Sequence, residues 1–99
     1  MRIISRKALR QFWQKRDHSD AEQPLRAWYR EASKADWSSP SAIKAMYRSA
    51  SLVGNSRVVF NIAGNKYRLI VKVNYHYRVM YIRFLGTHRQ YDQINVTEI

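Results

Sequence analysis

Two periods divide the chain. Up to about Tyr47 the apolar residues recur at helical spacing, and from Arg57 onward they alternate. Ala8, Leu9, Phe12 and Trp13 fall at i, i+1, i+4 and i+5, the apolar stripe of a helix that Ser5 can cap and that runs to about Arg16. Lys7, Arg10, Lys15 and Arg16 cover much of the remaining circumference. Leu25, Trp28, Tyr29 and Ala32 recur at i, i+3, i+4 and i+7 and predict a second helix. The stretch "SDAE" (Ser19–Glu22) has the form of a capping box at its start. Pro24 suits a first turn and not a helix interior, which puts the helix start near Gln23. The same grammar returns in "WSSPSAIKAMY": Ser39 caps, Pro40 takes the first helical position, and Ile43, Met46 and Tyr47 face inward. Before all of these, Arg2–Ile4 suits a short strand.

From Ser49 to Ser56 the pattern loosens, with "VGNS" as a turn. Val58, Phe60 and Ile62 then alternate through Arg57–Ala63, and Gly64-Asn65 reads as a two-residue hairpin turn. Lys66–Tyr75 forms a longer strand, His76–Arg78 turns, and Val79–Leu85 returns. Helices followed by a meander predict one α+β domain over residues 1–99. Its N-terminal helices pack on one face of a small antiparallel β-sheet.

Charge narrows the function. Eighteen Lys and Arg oppose seven Asp and Glu, a net charge of +11. Such a surplus points to a polyanionic partner, nucleic acid before an acidic protein or an anionic membrane surface. Cysteine is absent, so disulfides, thiolate nucleophiles and Cys-based zinc sites are excluded. His18, His76 and His88 show no tight ligand spacing, so neither a metal nor another cofactor is expected. Arg6, Lys7 and Arg10 interrupt the N-terminal apolar residues, which therefore make no signal peptide. No run is long enough to span a membrane, and a cytoplasmic protein with no membrane partner is expected.

Strand alternation sorts the remaining residues. Tyr67, Leu69, Val71, Val73 and Tyr75 turn toward the helices, as do Met80, Ile82 and Phe84. Lys66, Arg68, Lys72, Tyr81 and Arg83 then share the other face with Ile70, Asn74, Val79 and Leu85, and no acid stands among them. Cations that meet phosphates and a ring that stacks on a base suit single-stranded RNA. Past the last strand, Gly86 lets the chain break away and Thr87 can cap a final helical turn. His88, Tyr91 and Asp92 fall at i, i+3 and i+4 on one side of that turn, at the rim of the cationic face. RNA carries its own nucleophile, the 2′-hydroxyl. Cleavage needs a base for that hydroxyl, an acid for the leaving 5′-oxygen and cations for the charge on the phosphate. His titrates near neutrality and suits either proton role; Lys and Arg suit the charge.

The residues that carry this reading, "RVVFNIAGNKYRLIVKVNY" followed by "YIRFLGTHRQYD", resemble the HigB toxins of bacterial type II toxin–antitoxin systems, within the RelE-like superfamily. The pieces "SRKALRQFW", "LRAWY" and "PSAIKAMY" are similar too, so the resemblance runs from about Ile3 to Ile94. It implies a compact α+β fold and cleavage of mRNA on the ribosome without a metal. It also implies neutralisation by a HigA-like helix-turn-helix antitoxin. The family's G-T-H-x-x-Y segment falls on His88 and Tyr91 as catalytic candidates, with Arg83 stabilising the transition state. Lys66 and Arg68 are implied to bind phosphate, beside Lys72 and Tyr81 from the strand face. RelE proteins work with Lys, Arg and Tyr and have no histidine at this position, so the assignment of acid and base between His88, Tyr91 and other groups stays open. Two other functions fit the same fold: a non-catalytic RNA-binding module, and inhibition of gyrase by protein contact, as in ParE-like relatives.

Overall fold

The apolar stripes of the helices meet one face of a sheet. A computed structural model describes all residues, Met1–Ile99. In chain order it contains β1 (Arg2–Ile4), α1 (Arg6–Trp13), a 3-10 segment (Arg16–Ala21), α2 (Glu22–Lys34), α3 (Pro40–Met46), β2 (Ser51–Val53), β3 (Arg57–Ile62), β4 (Tyr67–Asn74), β5 (Val79–Thr87) and α4 (His88–Tyr91). Leu9 and Phe12 of α1, Leu25, Trp28 and Ala32 of α2 and Ile43 of α3 pack against Val58, Phe60, Tyr67, Leu69, Val71 and Met80 of the sheet. Burial of these large apolar side chains is the main term holding the layers together.

Of the local start signals, Ser5 precedes α1 without a side-chain cap bond, and α1 ends at Trp13 short of Arg16, whereas the α3 start forms as expected. Ser39 Oγ accepts from the Ala42 N–H at 3.3 Å with Pro40 opening α3. The "SDAE" box does not form. Ser19 lies in the 3-10 segment, and α2 begins at Glu22 behind Ala21 with no side-chain cap. Asp20 instead reaches the sheet, where Tyr67 Oη donates to its Oδ1 at 2.6 Å. Pro24 is the third residue of α2, inside the first turn whose N–H groups have no intrahelical acceptor, so its missing donor is harmless.

The sheet has five strands in the order β1-β5-β4-β3-β2 and is mixed, because β1 pairs parallel with β5 while the other pairs are antiparallel. β2 falls within the stretch expected to be loose. Ile62 faces Tyr67, so the β3–β4 connection is the four residues Ala63–Lys66 rather than Gly64-Asn65 alone. Ala63 and Gly64 take φ of 55° and 67°. A second correction concerns β5. Ile70 faces Phe84 but Val71 faces Ile82, so Arg83 is the extra residue of a bulge. The bulge slips the alternation. Met80, Ile82 and Leu85 serve the helical face, and Phe84, expected there, crosses with Ile70 to the other side.

That other side is not an open surface. Val59 is 2% exposed and Ile70 0%, yet neither belongs to the helix-side core. The segment following α4 crosses here, fixed by Asn55 Nδ2 donating to the Thr97 carbonyl at 3.1 Å and by Arg57 and Arg83 donating to the Ile99 main-chain oxygen.

Candidate nucleic-acid interface

The turn that carries His88 is built by three residues. An added Cβ at Gly86 would stand 2.7 Å from Phe84 Cζ and 2.6 Å from Gln90 Oε1, so only glycine allows both side chains to close over the strand end. Thr87 Oγ1 accepts from the Gln90 N–H at 3.2 Å, and Gln90 Oε1 accepts from the Thr87 N–H at 2.9 Å, a reciprocal capping box. His88 and Tyr91 therefore share one fixed turn, their ring centroids 6.4 Å apart with planes inclined by 15°. His88 Nε2 stands 3.7 Å from Asp92 Oδ1, beyond hydrogen-bond length, and its side chain is 52% exposed. An acid–base group open to solvent at the end of the sheet can exchange protons with a bound substrate.

Arg68 lies beneath this turn. Its guanidinium is 5.8 Å from the centre of the Tyr91 ring. Nη1 donates to the Asn65 carbonyl at 3.0 Å and Nη2 to Asn65 Oδ1 at 2.7 Å. The residue is only 8% exposed, so it supports Tyr91 from below instead of lying free on an open face as expected. Lys66 also departs from expectation. It belongs to the β3–β4 turn, and its ammonium donates to Asp20 on the helical side, 5.4 Å from the Tyr67 ring centre. Lys66 first, then the Tyr67 hydroxyl, holds the Asp20 carboxyl below its ordinary range, and Asp20 in turn raises Lys66.

Lys72, Tyr81 and Arg83 do come together. They line a groove of about 560 Å³ with Ser56, Asn74 and Tyr75 at the opposite end of the face. Lys72 and Tyr81 are cross-strand partners, and Tyr81 is exposed. Burial raises the Tyr75 phenol, which keeps it a proton-bearing donor in the groove wall. Arg68 and Lys72 are four residues apart on one strand, ~13 Å at the usual rise. The expected site is thus two clusters, Arg68/His88/Tyr91 and Lys72/Tyr81/Arg83, with Lys66 outside both. The chain forms three ion pairs, Arg26–Glu22, Lys66–Asp20 and Arg78–Asp36. None engages Lys72 or Arg83, so the groove cations have no Asp or Glu partner.

Sequence reasoning overlooked Arg57. It stands opposite Lys72 on β3 and is 8% exposed. Its position before Val58 in the alternation assigns it to the cationic face, which is the one signal that could have found it. No group of three His, Asp or Glu side chains stands together as a metal site, and no helix is long and apolar enough to cross a membrane.

Helices stacked on one face of a mixed five-stranded sheet, with cations on the other face and a His/Tyr turn at its rim, define a RelE-like toxin. The chain belongs to the HigB toxin family, described as the RelE-like toxic component of a toxin–antitoxin system, whose sequence pattern matches residues 21–94. Over 94 residues it is 30% identical to the mRNA interferase toxin HigB of Escherichia coli strain K12, covering 93% of this chain and 88% of that protein. The mRNA interferases HigB of Escherichia coli O157:H7 and Shigella flexneri match to the same extent.

Proposed function

We propose that this chain is an mRNA interferase, an endoribonuclease that cuts mRNA under translation and so arrests growth. The observation that carries it is the capped turn. Thr87 and Gln90 fix His88 and Tyr91 side by side at the rim of a sheet face whose groove cations lack acidic partners. In the reaction the RNA 2′-oxygen bonds to the adjacent phosphorus and the bond from phosphorus to the 5′-oxygen breaks, leaving a 2′,3′-cyclic phosphate. The 2′-hydroxyl proton passes to a base and the 5′-oxygen takes one from an acid, with His88 and Tyr91 as the two candidates. Arg83 meets the charge that gathers on the phosphate, and Lys72 and Tyr81 hold the flanking strand. Arg68 acts through Tyr91, as a positioning residue. Proton carriers and cations suffice for this chemistry, so no metal is required. The names of the relatives and the excess of cations support the substrate. Work in the cytoplasm on ribosome-bound mRNA, and neutralisation by a HigA-like helix-turn-helix antitoxin, complete the proposal.

The test is brief induction of the wild type and of His88→Ala in a bacterial host, with transcript 5′ ends mapped within minutes. New ends inside translated regions, lost in the variant, are expected. Cuts that persist would move the proton chemistry to Tyr91 or the cations. Growth arrest with intact transcripts would sink the nuclease and point to a protein target such as gyrase.

A further inference from the structure

Arg57 is a cation in an unusual position. It is more than nine-tenths buried, and buried charge is tolerated only when paired. No Asp or Glu pairs with it. Nη1 donates to the Asn55 carbonyl at 2.8 Å, Nη2 donates to the Ile99 main-chain oxygen at 2.6 Å, and Nε has no partner at all. Arg83 Nε donates to the same Ile99 oxygen at 3.3 Å. Two guanidinium groups from different strands thus converge on one oxygen, beside the groove that holds Lys72 and Tyr81. A phosphate offers several anionic oxygens to such a pair, so it can engage both guanidinium groups through charge-assisted bonds.

We infer that Arg57 and Arg83 form a phosphate subsite for the RNA strand, and that the segment Asn95–Ile99 occupies it in the free protein and is displaced when RNA binds. The side-chain hydrogen bonds that hold the segment are few. Beyond the two arginines, Asn55 Nδ2 donates to the Thr97 carbonyl, while Asn95 Oδ1 accepts from Thr97 N and Oγ1 within the segment itself. Asn95 and Glu98 are exposed while Val96, Thr97 and Ile99 are half-buried, so RNA binding must also offset the apolar surface that release uncovers. The inference deepens the reading of this face as an RNA platform and rests on it, and its test reads binding and not cutting.

The probe is a short single-stranded RNA methylated at every 2′-oxygen, which presents phosphates and lacks the nucleophile. In the wild-type protein, amide hydrogen exchange at Asn95–Ile99 should speed up severalfold when this RNA saturates it. Exchange that stays the same or slows overturns the competition. Arg57→Gln should weaken binding about tenfold, the usual scale for a lost charge-assisted contact. Lys34→Gln removes an equal charge from the end of α2 and should weaken it less than about twofold. Equal losses in the two variants would reduce Arg57 to a share of the net charge and overturn the subsite. Because the probe cannot be cut, a protein that binds it with release of the segment and yet leaves natural mRNA intact would refute the nuclease alone.

Discussion

The Tyr91 ring lies 5.8 Å from the guanidinium of Arg68, a side chain anchored by two hydrogen bonds to Asn65 and almost wholly buried. One strand residue thereby couples the β3–β4 turn to the last helical turn. Lysine at this position keeps the charge and loses the planar fork that holds both Asn65 acceptors. Arg68→Lys is expected to lower cleavage in a translation reaction by about tenfold to a hundredfold, the cost of a small misplacement. Its melting temperature should stay closer to wild type than that of Arg68→Ala. Cleavage unchanged in Arg68→Lys would separate Tyr91 from its support.

His88 is half exposed and makes no short hydrogen bond, so its removal costs the fold little. His88→Ala should leave stability within about 0.5 kcal/mol of wild type while cleavage falls by roughly 10²–10⁴, the usual contribution of a general acid or base. Tyr91→Phe should retain the ring over Arg68 and lose only what its hydroxyl contributes. Urea denaturation beside the cleavage assay separates the two effects.

Gly86 is a packing requirement. A methyl group there meets Phe84 and the Gln90 amide at less than contact distance. Gly86→Ala is expected to destabilise by about 1–3 kcal/mol, as overpacking generally does. It should also loosen the capping box, since Gln90 Oε1 must leave the Thr87 N–H. A lowered melting temperature with faster exchange at the Thr87 amide would show both.

The Asp20–Lys66–Tyr67 contact gives the fold a pH dependence of known sign. Lys66 first, then Tyr67, depresses the folded-state pKa of Asp20. Its contribution is present above the ordinary carboxylate value of 3.8 and lost as pH falls through the lower folded value. Burial first, then Asp20, raises Tyr67 above its ordinary 10.0, so that contribution is present below 10.0 and lost as pH rises through the folded value. Urea midpoints should therefore fall at both extremes. Asp20→Asn should flatten the acid arm and shrink the alkaline one. An acid arm unchanged in this variant would place the sensitivity elsewhere.

Much of this molecule is local. The α1 and α2 stripes, the Ser39/Pro40 start of α3 and the Thr87-capped turn under His88 and Tyr91 follow from spacing, because each depends on residues within a turn or two of one another. The α+β order and the positive surplus follow from the sequence for the same reason: period and charge need no partner. What spacing could not supply is pairing between distant residues. The parallel union of β1 with β5, the bulge that leaves Arg83 unpaired and turns Phe84 over, and the capture of Asp20 by Tyr67 across 47 positions arise only when the layers close. The site divides along the same line. Sequence nominated Lys72, Tyr81, Arg83, His88 and Tyr91, but tertiary contacts buried Arg68, diverted Lys66 to Asp20, and carried Ile99 across 42 positions to Arg57. Local backbone preference decides which face a side chain takes, and only the folded chain decides what lies on that face.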